Sequence, residues 1–113
     1  MTSVIKAPYS RMYMTLWDTV EQLDTTKKYV LSQSALRFSA LIITLSKTNP
    51  VTSSSRIILY IPTNFNGEWM CAALPGGDIT SFRVEVDAYT GTLWIISTTY
   101  QGDLFISRVV GVL

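Results

Sequence analysis

Ser81-Phe82-Arg83-Val84-Glu85-Val86-Asp87-Ala88-Tyr89-Thr90-Gly91-Thr92-Leu93-Trp94-Ile95-Ile96-Ser97-Thr98 is the stretch from which the fold class follows. Phe82, Val84 and Val86 alternate with Ser81, Arg83, Glu85 and Asp87, the period of two expected of a strand with one buried face. Ala88-Tyr89-Thr90-Gly91 then supplies turn residues, with Gly91 free to take the positive φ that closes a hairpin. Thr92 to Thr98 forms the returning strand. After Tyr100-Gln101-Gly102-Asp103, Leu104 to Val110 reads as a third, giving an antiparallel meander. Leu93 to Ile96 and Leu104 to Ile106 are apolar in succession, so these strands need cover on both faces, as a central strand or against another subunit.

Moving outward, Leu36 to Ser46 reads as a long strand. Leu36, Phe38, Ala40, Ile42 and Thr44 lie on one side, and Arg37, Ser39, Leu41, Ile43 and Leu45 on the other. Lys47-Thr48-Asn49-Pro50 ends it, and 52–55 is a Ser/Thr loop. Arg56 to Ile61 is the next strand, stopped by Pro62. Asn64-Phe65-Asn66-Gly67 reads as a turn and Glu68 to Ala73 as a short strand. Arg11 to Trp17 is the first strand, and Lys28 to Leu31 a further short one. The expectation is all-β: a compact antiparallel β-sandwich of about 7–8 short strands, with residues 1–10 a lead-in and 11–113 the single domain. One segment admits an exception. Asp18-Thr19-Val20-Glu21 fits a capping box, and Leu16, Val20 and Leu23 share a helical face, so a short helix near residues 19–24 is expected.

Composition narrows the function. The chain has 113 residues, 48% of them hydrophobic and only 15% charged, against about 25% charged in ordinary domains. Such a chain is expected to bury its apolar excess against other copies. No apolar run reaches the ~20 residues of a membrane helix, so membrane insertion is not expected. The net charge is +1 and the basic residues are scattered, which gives no phosphate-tracking face and argues against nucleic acid. There is no histidine, which removes Ser-His-Asp and Cys-His catalysis and weakens zinc or copper sites. The single cysteine, Cys71, cannot form an internal disulfide and reads as a small buried hydrophobe. The start shows no secretory pattern. Glu85 and Asp87, two apart on one strand face, have the spacing of a glycosidase pair but also that of a solvated strand face. Asp78, Asp87 and Asp103 match no calcium loop. No catalytic residue, metal or cofactor is therefore assigned.

Aromatic side chains are the better lead. Most of Trp17, Trp69, Trp94, Tyr60, Tyr89 and Tyr100 are expected in the core or a subunit interface. Tyr89 and Tyr100 in turns, with Trp69 near one, are the candidate receptor-binding residues, because rings beside Asn, Asp and Thr suit protein or sugar recognition.

Tyr13-Met14-Thr15-Leu16-Trp17 resembles the Thr-Leu-Trp opening at the shaft-to-head junction of adenovirus fibres. The short chain is similar in size to the heads of the reptilian and ruminant branch. That resemblance implies a homotrimeric β-sandwich at the virion fibre tip that binds a host-cell protein or glycan through its loops. Residues 1–10 are then either a shaft remnant or an end added outside the head, and the resemblance assigns no receptor residues. Ile58-Leu59-Tyr60-Ile61-Pro62, Val84-Glu85-Val86 and Gly91-Thr92-Leu93-Trp94-Ile95 are more loosely similar to C-terminal heads of phage receptor-binding proteins, which also implies a trimeric adhesin. A small capsid or decoration subunit and a cellular lectin-like module are the alternatives.

Overall fold

The computed structural model describes residues 12–64, 66–73, 79–97 and 103–113. They form eight strands in two antiparallel sheets that face each other across one core, an all-β sandwich. Strands β1 (Tyr13–Trp17), β2 (Glu21–Gln22), β3 (Ala40–Ser46), β4 (Arg56–Pro62) and β8 (Phe105–Val112) make sheet A. Strands β5 (Asn66–Ala73), β6 (Ile79–Val86) and β7 (Leu93–Ser97) make sheet B.

Alternation sorts the side chains as the period of two requires. Leu41, Ile43 and Leu45 of β3 lie opposite Ile61, Leu59 and Ile57 of β4, and all six are buried. Phe82 and Val84 of β6 and Leu93 and Ile95 of β7 close over them from sheet B with no exposed surface. Polar Arg83 and Glu85 take the outer face, bridged at 2.8 Å.

The predicted C-terminal meander is not formed. β6 and β7 pair as a hairpin, but β8 crosses to sheet A and inserts between β1 and β3. This placement answers the two-sided apolar sequence of β8. Its Ile106 and Val109 enter the core, while Val110 and Val112 lie on the outer face, flanked by strands on both edges.

The helix expected at 19–24 is also absent. β1 leaves β8 after Trp17, and Glu21–Gln22 takes up the same edge of β8 opposite Ile106 and Phe105. The Leu23 N–H adds a bond to the Leu104 carbonyl at 2.8 Å. A two-turn helix repays few hydrogen bonds for its nucleation, so the ready-made strand edge wins. The helical turn that does form is a 3₁₀ turn at Ala35–Arg37, where the Ser34 hydroxyl accepts from the Leu36 N–H at 3.2 Å. It replaces the start of the strand expected from Leu36. The turn expected over Asn64 to Gly67 is shortened at its far side, since β5 already starts at Asn66. Lys28 to Leu31 contributes a single bridge, Tyr29 to Leu93.

Candidate functional site

The most exposed aromatic ring among the described residues stands at the tip of the β6–β7 hairpin. Tyr89 is 95% exposed. The turn that carries it is tightly bonded. The Asp87 carboxylate accepts the N–H groups of Tyr89 at 2.8 Å and Thr90 at 2.9 Å, and the Gly91 N–H returns to the Asp87 carbonyl at 2.9 Å. Gly91 has φ +70°, and a Cβ there would lie 1.9 Å from the Ser34 hydroxyl, so glycine is required on both counts. The Thr90 and Lys28 contacts matter electrostatically as well. Hydrogen bonds from the Thr90 and Tyr89 amides, with Lys28 3.3 Å away, hold the Asp87 carboxyl down at about 2.

Beside the hairpin base lies a concavity of about 50 Å³ lined by Lys28, Glu85, Val86, Asp87, Thr92 and Trp94. The hollow has room for a few waters or for a small polar group of that size. Trp94 is half-buried here, its indole N–H donating to the Thr25 carbonyl. Sequence reading grouped Trp94 with the core aromatics. Its position opposite outward-facing Glu85 could have been found by counting the strand period from Leu93.

The carboxylates of this region are committed to structural contacts. Glu85 meets Arg83, and Asp87 is ionised far below neutrality by its own turn, a state that suits accepting hydrogen bonds and not donating a proton. Asp103 accepts from the Gln22 amide at 3.1 Å. Among the described residues no three carboxylate or thiol side chains gather as a metal site.

The three aromatic residues expected to form the site have separate fates. Tyr89 occupies the tip as anticipated. Trp69 sits inside β5, paired in register with Arg83, and so lies in a strand four residues from the Asp87 turn along β6. Tyr100 lies outside the described residues, as does Asp78.

Behind the tip, the connection from sheet A to sheet B forms a polar-aromatic knot. Tyr29 is fully buried, meets Trp17 edge-on at 5.4 Å, and accepts the Asp24 N–H on its hydroxyl at 2.8 Å. Lys27 lies 4.9 Å from the Tyr29 ring centre and 2.6 Å from Glu21. Comparison with protein-family models, curated proteins and solved structures finds no match for the chain.

Proposed function

We propose that the chain is the receptor-binding head of a trimeric viral fibre, attaching a virion to a host-cell protein or glycan. The observation that carries this reading is Tyr89. A large amphipathic ring is held almost wholly in solvent on a turn stiffened by three hydrogen bonds, and among the described residues none covers it. Rigid aromatic anchors lose little entropy on binding, and they dominate interface energetics. The adjacent hollow, with an indole flank, two carboxylates, a lysine and a threonine, offers the donors and acceptors that fix a hydroxyl or amide beside such a ring. The low charge content and two-sided apolar strands fit a head that is buried against its own copies.

The test is binding of the whole chain to host-cell panels and glycan arrays, with Tyr89→Ala beside the native sequence. Loss of a hot-spot ring is expected to weaken adhesion by about thirtyfold or more, the equivalent of ~2 kcal/mol. Undiminished adhesion of the variant would move the site elsewhere. Absence of any cell or glycan binding, with growth into large closed assemblies, would favour a capsid or decoration subunit.

A further inference from the structure

The face of sheet A turned away from the core carries apolar side chains along its middle, among threonines and arginines. Register places Tyr60, Ile42, Val110 and Thr15 in one row across β4, β3, β8 and β1, and Ile58, Thr44 and Arg108 in the next. Tyr13, Ile58 and Tyr60 remain 57%, 62% and 58% exposed. At the far end of the face, the loop after β3 folds back over Ser46, whose hydroxyl bonds to Ser55 at 2.9 Å, so the polar end is covered and the apolar middle is not. Four strands of five to eight residues, ~4.8 Å apart, give a footprint of roughly 400 Å², within the range of the largest apolar patch that monomers carry. That is about half of the ~800 Å² that each partner contributes to a stable interface, so the rim and loops around the face supply the rest.

The rim is asymmetric. Arg56 stands on the β4 edge, one same-face step from Ile58, with no ion pair among the described residues. Asp18 stands on the opposite edge, just after β1, 66% exposed and only loosely paired to Arg108 at 3.7 Å. The two flank one groove of about 260 Å³, floored by Thr44 and Ser107 and edged by Val20 and Val51. Ser107 is the extra residue of a β-bulge in β8, a device that bends a strand and redirects its side chains.

We infer that this face is covered by further copies of the chain, arranged around an axis parallel to the strands so that Arg56 of one copy meets Asp18 of the next. Copies related in that way bring the β4 edge of each against the β1 edge of its neighbour at the same height along the strands. The apolar rows then meet one another, and each free guanidinium reaches an exposed carboxylate. An axis across the strands would instead set β4 against β4 and leave Arg56 facing its own kind. The inference rests on the reading of the chain as an assembling head, and adds which surface assembles and in what orientation.

The experiment is light scattering on a sizing column, over a dilution series, of the native chain and of I58D, R56E, D18K and R56E/D18K. Circular dichroism confirms folding of each. The native chain is expected at three times 12.6 kDa and I58D at 12.6 kDa. R56E and D18K should each raise the concentration at which the assembly dissociates by about tenfold or more, equivalent to ~1.4 kcal/mol. The double variant, with the pair reversed, should assemble more tightly than either single one. A native trimer that survives I58D, or a double variant no better than the singles, overturns this interface and leaves the trimer standing. A native monomer at every concentration overturns both.

Discussion

Tyr29 and Leu93 exchange both of their backbone hydrogen bonds, Tyr29 N–H to the Leu93 carbonyl at 2.6 Å and Leu93 N–H to the Tyr29 carbonyl at 3.0 Å. This bridge clips the connector that leaves sheet A onto the outer edge of sheet B. The Tyr29 ring, with no exposed surface, then fills the seam between the sheets.

Tyr29 therefore carries two separable loads. Tyr29→Phe keeps the ring and removes the acceptor of the Asp24 N–H, at an expected cost of about 1 kcal/mol. Tyr29→Ala empties the seam and should cost ~3–5 kcal/mol. Chemical denaturation of the two variants measures the split, and equal losses would refute it.

Gly91→Ala is expected to destabilise the chain by ~2 kcal/mol or more, from a left-handed backbone and a clash with Ser34 together. Ser34→Gly in the same chain should recover the part of the clash made with the Ser34 side chain, and leave the left-handed backbone, the Ala35 nitrogen 2.8 Å from the added Cβ and the lost Ser34 cap on Leu36. With Ser34→Gly measured alone as well, losses that simply add in the double variant would show that the Ser34 contact contributes nothing.

At Gly111 the constraint is contact alone. An added Cβ would lie 2.6 Å from the Phe38 ring, which seals the end of the core over β8. Gly111→Ala should cost ~1–3 kcal/mol by overpacking. Combined with Phe38→Leu, the loss should be smaller than the two single losses added, a coupling read from a double-mutant cycle.

The Asp87 turn sets part of the acid sensitivity. Its folded pKa of about 2 lies below the ordinary 3.8, so the turn contributes stability above 3.8 that is lost as pH falls from there towards 2. Asp87→Asn should flatten that part of the acid unfolding curve and lower stability at neutral pH. An acid limb identical in the variant would show that other carboxylates carry it.

The alkaline limb has the opposite sign. Burial raises the Tyr29 phenol above 10.0, and the hydrogen bond to Glu21 raises the Lys27 amine above 10.5. Both groups stabilise the fold fully below those values and lose that contribution as pH climbs through the higher folded pKa values. Tyr29→Phe should reduce the loss of stability above pH 10, measured by denaturant titration at pH 8 and pH 11.

The strands were legible wherever one face was wet. Ser81 to Asp87 alternates without a break, and its inward and outward residues lie as the period predicts. The β6–β7 hairpin and its Gly91 followed from local chemistry in the same way. Strand partners were less legible. Leu104 to Ile106 announces only that both faces need cover, and neighbouring strands in sequence are the default partners, so the crossover of β8 to β1 and β3 left no local mark. The Asp18 to Glu21 capping box was a real local preference, defeated by a strand edge that exists only after β8 is in place. Of the site, Tyr89 could be read because a turn residue points to solvent. The strand period from Leu93 puts Trp94 on the outer face beside Glu85, but the hollow it lines also depends on Lys28 arriving from a distant segment, which left no local mark.

The position of β8 also sets the order in which the protein can be made. Its partners β1 and β3 leave the ribosome well before it does, and Tyr13 must wait for Val112 across nearly the whole chain. Until then β3 and β4 form only one side of sheet A, with an open edge where the central strand belongs. Such distant pairings slow folding, and the β3 edge stays open to wrong pairing until β8 arrives.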